Sequence, residues 1–433
     1  MGDKTGSIDI PTLAAACLQE TGRLVDAHGP RLTGTRPCEA VAEDIARQMG
    51  TFADSVRREP FEVHPGSFYA YMKILPVSYL LGMAALLAAG RTGPLAVAIV
   101  GVPAVAGLAA GIALMVCQFW FYRHAGDALF ARRSGTNVEA VIEPAGVPAC
   151  ELILSGHHDS APVARILSGP FDRFFAVAIL APYLFFVAEL VLLVVRLSGH
   201  AAALPGRWVP PFLLAGLPFV AGYFFLVALR RGSPGAGDNL VSSMMVVGLG
   251  RQIAARREVL LRSTRLRIVS FDAEEAGLRG ASAYFAAHAA DLKRLPCVHL
   301  NFDSLYRLRD LQVFRSDING TVGLSRPLVD RLVECARECG FTMRTFGMIF
   351  GGGGTDAAES AKAGIPSTSI VGLPTEVVRT GMVYHTPRDT VEHVEPAAVE
   401  ACAGIALRFL ELVEGDGAAA YHTSGTRAFR SEG

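Results

Sequence analysis

The sequence predicts an α/β protein whose mixed, mostly parallel sheet is flanked by helices and interrupted by two transmembrane helical hairpins. Three observations carry this expectation. In the polar parts of the chain, short β-type runs alternate with stretches of helical periodicity. Four other stretches are nearly free of charge and reach the length of about 20 residues that a bilayer span requires. Those four fall into two close pairs, so each pair leaves and re-enters on the same side.

Composition agrees. Of the 433 residues, 51% are hydrophobic and only 18% charged, and mean hydropathy is +0.36, which is apolar for a water-soluble enzyme. Forty basic and 40 acidic residues cancel, so no nucleic-acid partner is expected. Eight dispersed cysteines, without a CxxC pair, fit a reducing compartment better than a disulfide-stapled fold. The N-terminus lacks a basic start followed by an apolar run, so no cleavable leader is expected.

In chain order, helical spacing covers 10–28, with Leu13, Ala16, Leu24 and Val25 as apolar positions, and 38–51. β-type runs follow at Ser55–Val63, Asn137–Ile142 and Glu151–Ser155. Further on come a helix at Asn239–Arg256, a buried strand at Leu266–Phe271 and a helix near Gly280–Ala290. Strands at Cys297–Phe302 and Ser367–Val371 and a helix at Pro396–Glu414 complete the pattern. The spans are Phe68–Ala89, Pro94–Tyr122, Phe174–Val195 and Val209–Leu229, with Trp120 and Tyr122 suited to a membrane interface.

This divides one soluble domain into 1–67, 123–173 and 230–415, with hairpins at 68–122 and 174–229 and a small, polar tail at 416–433 expected to be disordered. Lys73, Arg123, Arg132, Arg133, Arg165, Arg173, Arg230 and Arg231 lie on the domain side, against Arg91, Arg196 and Arg207 on the connector side. That excess predicts a four-span integral membrane protein with its domain in the cytoplasm. Glu189, inside the third span, is expected to be a packed or neutral acid.

Five motifs stand at predicted strand ends, where open α/β sheets collect ligands. They are Gly156-His157-His158-Asp159-Ser160, Gly237-Asp238-Asn239, Asp272-Ala273-Glu274-Glu275-Ala276-Gly277-Leu278, Asn301-Phe302-Asp303 and Tyr384-His385-Thr386-Pro387. Their imidazoles and carboxylates match zinc's preferred donors. A two-metal hydrolase needs a carboxylate shared by both ions, terminal ligands for each, and a base for the water.

The ordered set resembles the co-catalytic zinc aminopeptidases of the bacterial leucyl type, a family that includes glutaminyl cyclases and glutamate carboxypeptidases. The resemblance runs from Arg31-Leu32-Thr33-Gly34-Thr35 to Tyr384-His385-Thr386-Pro387-Arg388-Asp389-Thr390. It implies a zinc exopeptidase fold, two Zn2+ per chain and a peptide substrate, while the four apolar spans, a departure from the family, add a lipid bilayer as a partner. By the same resemblance, one ion takes His157, Asp238 and Asp303, and the other Asp238, Glu275 and His385. Asp159 orients His157, Glu274 is the general base, and the peptide bond after Asp238 is often cis. Asp272 and Asp389 are read as structural and His158 as a non-ligand.

One departure is Ala357 where the family often carries histidine after Ser-Asp. Gly351–Gly354, with no Lys-Ser/Thr following, reads as a turn at the substrate pocket rather than a phosphate loop. Asp238 lies only nine positions after Leu229, so at no more than ~3.6 Å per residue the site lies within roughly 32 Å of the membrane. Alternatives are glutaminyl cyclisation on a single zinc, or a silent membrane scaffold or transport component, although neither metal binding nor scaffolding needs Glu274.

Overall fold

The computed structural model describes residues 8–421 except 90, 169–173, 201–205, 350 and 375–381. Arg173, part of the second connector and most of the predicted tail therefore lie outside the described residues. The N-terminal periodicity becomes α1 (Ile10–His28) and α2 (Arg36–Met49). Asp9 caps α1 by accepting the Thr12 amide at 3.1 Å. Helix α2 starts two residues earlier than its spacing predicts, because Pro37 suits a first turn, and it stops at Gly50.

Strand β1 (Ser55–Val63) pairs antiparallel with Arg133 to Val141 of β2 (Arg133–Ile142), which is why β2 begins ahead of its apolar half. Between them lie the short helix α3 (Pro65–Phe68) and two long apolar helices, α4 (Tyr71–Ala88) and α5 (Pro94–Met115). After β3 (Cys150–His157) and β4 (Pro162–Ala164) come α6 (Phe175–Leu197) and α7 (Val209–Phe225). The fourth apolar stretch is thus shorter as a helix than expected. Its last residues enter β5 (Val227–Gly232), which pairs with β4.

The remainder runs α8 (Val241–Ala254), α9 (Arg257–Leu260), β6 (Thr264–Phe271), α10 (Arg279–Leu292), β7 (Cys297–Asp303), β8 (Gln312–Asp317) and β9 (Val322–Gly323). It continues with α11 (Arg326–Glu338), β10 (Arg344–Gly347), α12 (Ala357–Lys362), β11 (Ser367–Val371) and α13 (Pro396–Asp416). Beyond α13, Ala418–Tyr421 forms a short turn with Tyr421 buried.

The large sheet has the order β1-β2-β6-β3-β7-β11-β8-β10, with β9 beside β8. Its central four strands, β6, β3, β7 and β11, run parallel, and antiparallel strands extend both sides. Alternation along each central strand buries both faces. Leu152, Leu154, Leu266 and Ile268 join Met244 and Val247 of α8 on one side, whereas Ile153, Val269 and Phe271 meet Tyr284 and Phe285 of α10 on the other.

Helices α4 to α7 pack into a separate apolar cluster around Leu75, Tyr79, Leu108, Phe186, Leu213 and Tyr223. Among the described residues, three helices are long and apolar enough to cross a membrane: Tyr71–Ala88, Pro94–Trp120 and Val177–Leu197. Glycines bring α4 and α5 together: a Cβ on Gly107 would lie 2.1 Å from Ser78 Oγ, and one on Gly111 2.7 Å from Leu75 Cδ2. Outward, Leu95 is 75% exposed and Leu184 65%, a surface that suits lipid rather than water.

Candidate metal centre

Parallel strands end where the candidate residues begin. His157 closes β3, Asp303 closes β7, and Glu274 and Glu275 follow β6. Asp238 comes from the turn ahead of α8, where the Asp238–Asn239 peptide bond is cis, and His385 from the loop after β11. These positions are far apart in the chain and converge in space.

His157 Nε2 lies 3.4 Å from Asp238 Oδ1, 3.8 Å from Asp303 Oδ2 and 3.8 Å from Glu274 Oε2. His385 Nε2 lies 3.0 Å from Asp238 Oδ2 and 3.1 Å from Glu275 Oε1. Asp238 therefore turns one oxygen to each histidine. Donor atoms of His157, Asp238 and Glu275, and those of His157, Glu274 and Asp303, lie within 4.8 Å of one another. Each of these sets could hold a metal ion.

Burial works against charge on Asp238, but the rings of His157 and His385 beside it hold its carboxyl well below the usual carboxylate range. Burial pushes Asp303 and Glu275 up to about 7, and the neighbouring Asp238 adds to the rise. Burial also raises Glu274 well above an ordinary glutamate, with His157 opposing and Glu275 adding. His385 is driven the other way: burial disfavours its charge, yet Glu275 and Asp238 raise it to about 10.

Several buried atoms have no hydrogen-bond partner: His157 Nε2, Asp238 Oδ2, Glu275 Oε1 and His385 Nε2. Unpaired polar atoms in an interior are costly. A cation shared among imidazole nitrogens and carboxylate oxygens would satisfy them, and that donor set is the one zinc favours. The residues present fit the metal.

The surrounding framework explains the motif ends. Both oxygens of Asp159 are engaged: Oδ1 accepts the Glu274 amide at 3.2 Å and stands 3.2 Å from His157 Nδ1, while Oδ2 accepts from the Glu275 amide at 3.2 Å and from Thr33 Oγ1 at 2.9 Å. The fully buried Arg31 donates to the carbonyls of His158, Pro234 and Gly235, clamping two site loops. Asp389 accepts the amides of Gly237 and Asp238 at 2.8 and 3.3 Å, a structural role that fixes the shared carboxylate's turn. Ser304 Oγ donates to Asp238 Oδ1 at 3.1 Å and to Asp303 Oδ1 at 2.8 Å. Neither Ser304 nor the buried Asp356 stood out in the sequence; adjacency to a motif was the available signal.

His158 turns away from the cluster. Its Nδ1 pairs with Ser270 Oγ at 2.9 Å, and burial lowers its pKa to about 3, leaving a neutral ring. Cys38 Sγ donates to Asp272 Oδ1 at 3.3 Å, and Asp272 also accepts the Thr136 amide.

Fold and site together define a zinc metallopeptidase, a hydrolase with a peptide substrate. The model of peptidase family M28 matches residues 220–410. A zinc aminopeptidase from Bacillus subtilis superposes with a TM-score of 0.53 at 14% identity, over 94% of this chain and 97% of that one. For a Zn-dependent exopeptidase from Parabacteroides distasonis the values are 0.55, 13%, 92% and 97%. A glutaminyl cyclase from Porphyromonas gingivalis gives 0.54, 13%, 92% and 97%. At such identities the likeness is one of fold. No curated protein matches by sequence.

Proposed function

We propose that this protein is a membrane-bound aminopeptidase that removes N-terminal residues from peptides at a two-zinc centre. The observation that carries the reading is Asp238, whose two oxygens face different histidines at 3.4 and 3.0 Å. One zinc would take His157, Asp238 and Asp303, the second Asp238, Glu275 and His385. Bound zinc supplies Lewis acidity, lowering the pKa of water towards 7 and polarising a carbonyl. Glu274, at the cavity wall with its carboxyl raised by burial, takes the proton of the attacking water and returns it to the leaving amine. Asp159 keeps His157 and both glutamates in place.

The three soluble segments form one catalytic unit, and the two hairpins anchor it as a four-span protein with the domain in the cytoplasm. The apolar cluster of α4 to α7 and the basic residues at its domain end support this reading.

A panel of aminoacyl amides, assayed on purified protein with and without chelator, tests the activity. Chelator-sensitive release of the N-terminal residue and two zinc ions per chain are expected. One zinc per chain, together with cyclisation of glutaminyl peptides and no release, would replace the peptidase reading with glutaminyl cyclisation.

A further inference from the structure

The metal centre opens into a cavity of about 310 Å³ that reaches into the apolar helix bundle, within the size range of small-molecule sites. Asp238, Glu274, Glu275 and Asp303 line it. So do residues of the apolar helices: Tyr71 and Met72 of α4, Phe119 from the turn that extends α5, Ile179 and Tyr183 of α6, and Tyr223 of α7. Helices α4, α6 and α7 and the extension of α5 all contribute. Tyr183 and Tyr223 join their hydroxyls at 2.5 Å, so the polar ends of these two side chains are already partnered. On α6, Ile179 and Tyr183 sit directly beside Leu180 and Leu184, which are 58% and 65% exposed on the bundle's outer surface. Adjacent residues of one helix thus face the cavity and the bundle's outer surface.

A cavity lined both by the acids of the metal centre and by aromatic and aliphatic side chains of the helix bundle suits a molecule with a free amine beside a large apolar group. We infer that the N-terminal side chain of the substrate lodges between the membrane helices, so the enzyme selects peptides that begin with long apolar residues and reach it from the bilayer. This rests on the aminopeptidase reading and adds its specificity. A polar N-terminal side chain placed there would lose its hydration without a partner. An apolar one gains with each methylene, by about 10-fold or more in kcat/KM.

The test uses the full chain in detergent, loaded with zinc. Amides of alanine, leucine and 2-aminodecanoic acid should show kcat/KM rising along the series by at least about 100-fold. Ile179→Trp, which fills the cavity, should shrink the ratio of 2-aminodecanoyl over alanyl hydrolysis by about 10-fold. An N-terminal photoreactive apolar peptide amide, with a diazirine in its first side chain, should label residues of α4, α6 or α7, as mapped by mass spectrometry. A flat series, equal losses in the variant, or labelling confined to the outer surface would overturn the inference and leave the aminopeptidase reading intact. Failure to hydrolyse any amide would overturn the aminopeptidase reading instead, and the labelling pattern alone would then decide the inference.

Discussion

Asp159 has every lone-pair direction committed, to two glutamate amides, one threonine hydroxyl and the ring of His157. Replacing it with Asn puts an amide nitrogen where donors already point. Zinc affinity, measured by competition with a chromogenic chelator, should fall about 10–100-fold, with the chain still folded. Glu274 separates chemistry from binding. Glu274→Gln keeps the shape but holds no transferable proton, so kcat should drop about 10²–10⁴-fold, while elemental analysis returns unchanged zinc. Equal loss of metal and activity would make Glu274 a ligand and sink its role as base. At this scale the sequence was readable wherever chemistry leaves a spacing: His157 and Asp159 two apart on a strand end, Glu274 beside Glu275 on a loop. Ser304 and Asp356 were not, because one hydroxyl or one acid near a motif has no periodic signature. Arg31 and Thr33 lay in a quoted motif, but their role as clamps depends on partners over a hundred residues away.

Helices and strands were legible to the extent that one neighbour type fixes them. Strands β3, β6 and β7, buried on both faces, appear as apolar runs, and α1, α8 and α13 announce themselves by spacing. Strands β9 and β10 are two and four residues long and partly exposed beyond β8, with no run to mark them. The fourth apolar stretch misleads for another reason: Val227 and Ala228 are as apolar as the helix before them, yet pair with Ala164 and Val163. That pairing ties the second hairpin to the site, because the Ala164 amide donates to the His385 carbonyl at 2.8 Å. Within the bundle, close approach of α4 and α5 depends on glycine. Gly111→Leu would force atoms onto Leu75 and Ile74 and should destabilise the protein in detergent by about 1–3 kcal/mol. Gly206→Ala, with nothing within 4 Å, is the matched control. Thermal unfolding followed by tryptophan fluorescence distinguishes them, and equal melting points would show that the helices do not pack at this glycine.

Across the whole molecule, the sheet gathers acids and imidazoles at one end while the bundle carries apolar surface outwards, and the two halves meet at the cavity. Concentrated acids make the metal-free protein sensitive to pH in a direction that can be worked out. Glu275, Asp303 and Asp389 are raised to about 7 by burial, and Asp238 adds to each. In the folded chain they keep protons that the unfolded chain releases near pH 4, so their contribution to stability declines as pH rises from about 4 to 7. His385, raised to about 10 by its acidic neighbours against burial, acts in the same sense: its stabilisation is full below about 6.5 and fades as pH climbs towards 10. Asp238, held low, matters only on the acid side, where protonation would remove its stabilisation. Chelator-treated protein should therefore melt at a higher temperature at pH 5 than at pH 8. Zinc reverses the trend, since its ligands bind only when deprotonated, and the rise in melting temperature on adding zinc should be larger at pH 8 than at pH 5. A zinc-induced rise that is equal at the two pH values would mean that the ion is not held by this set of carboxylates and histidines.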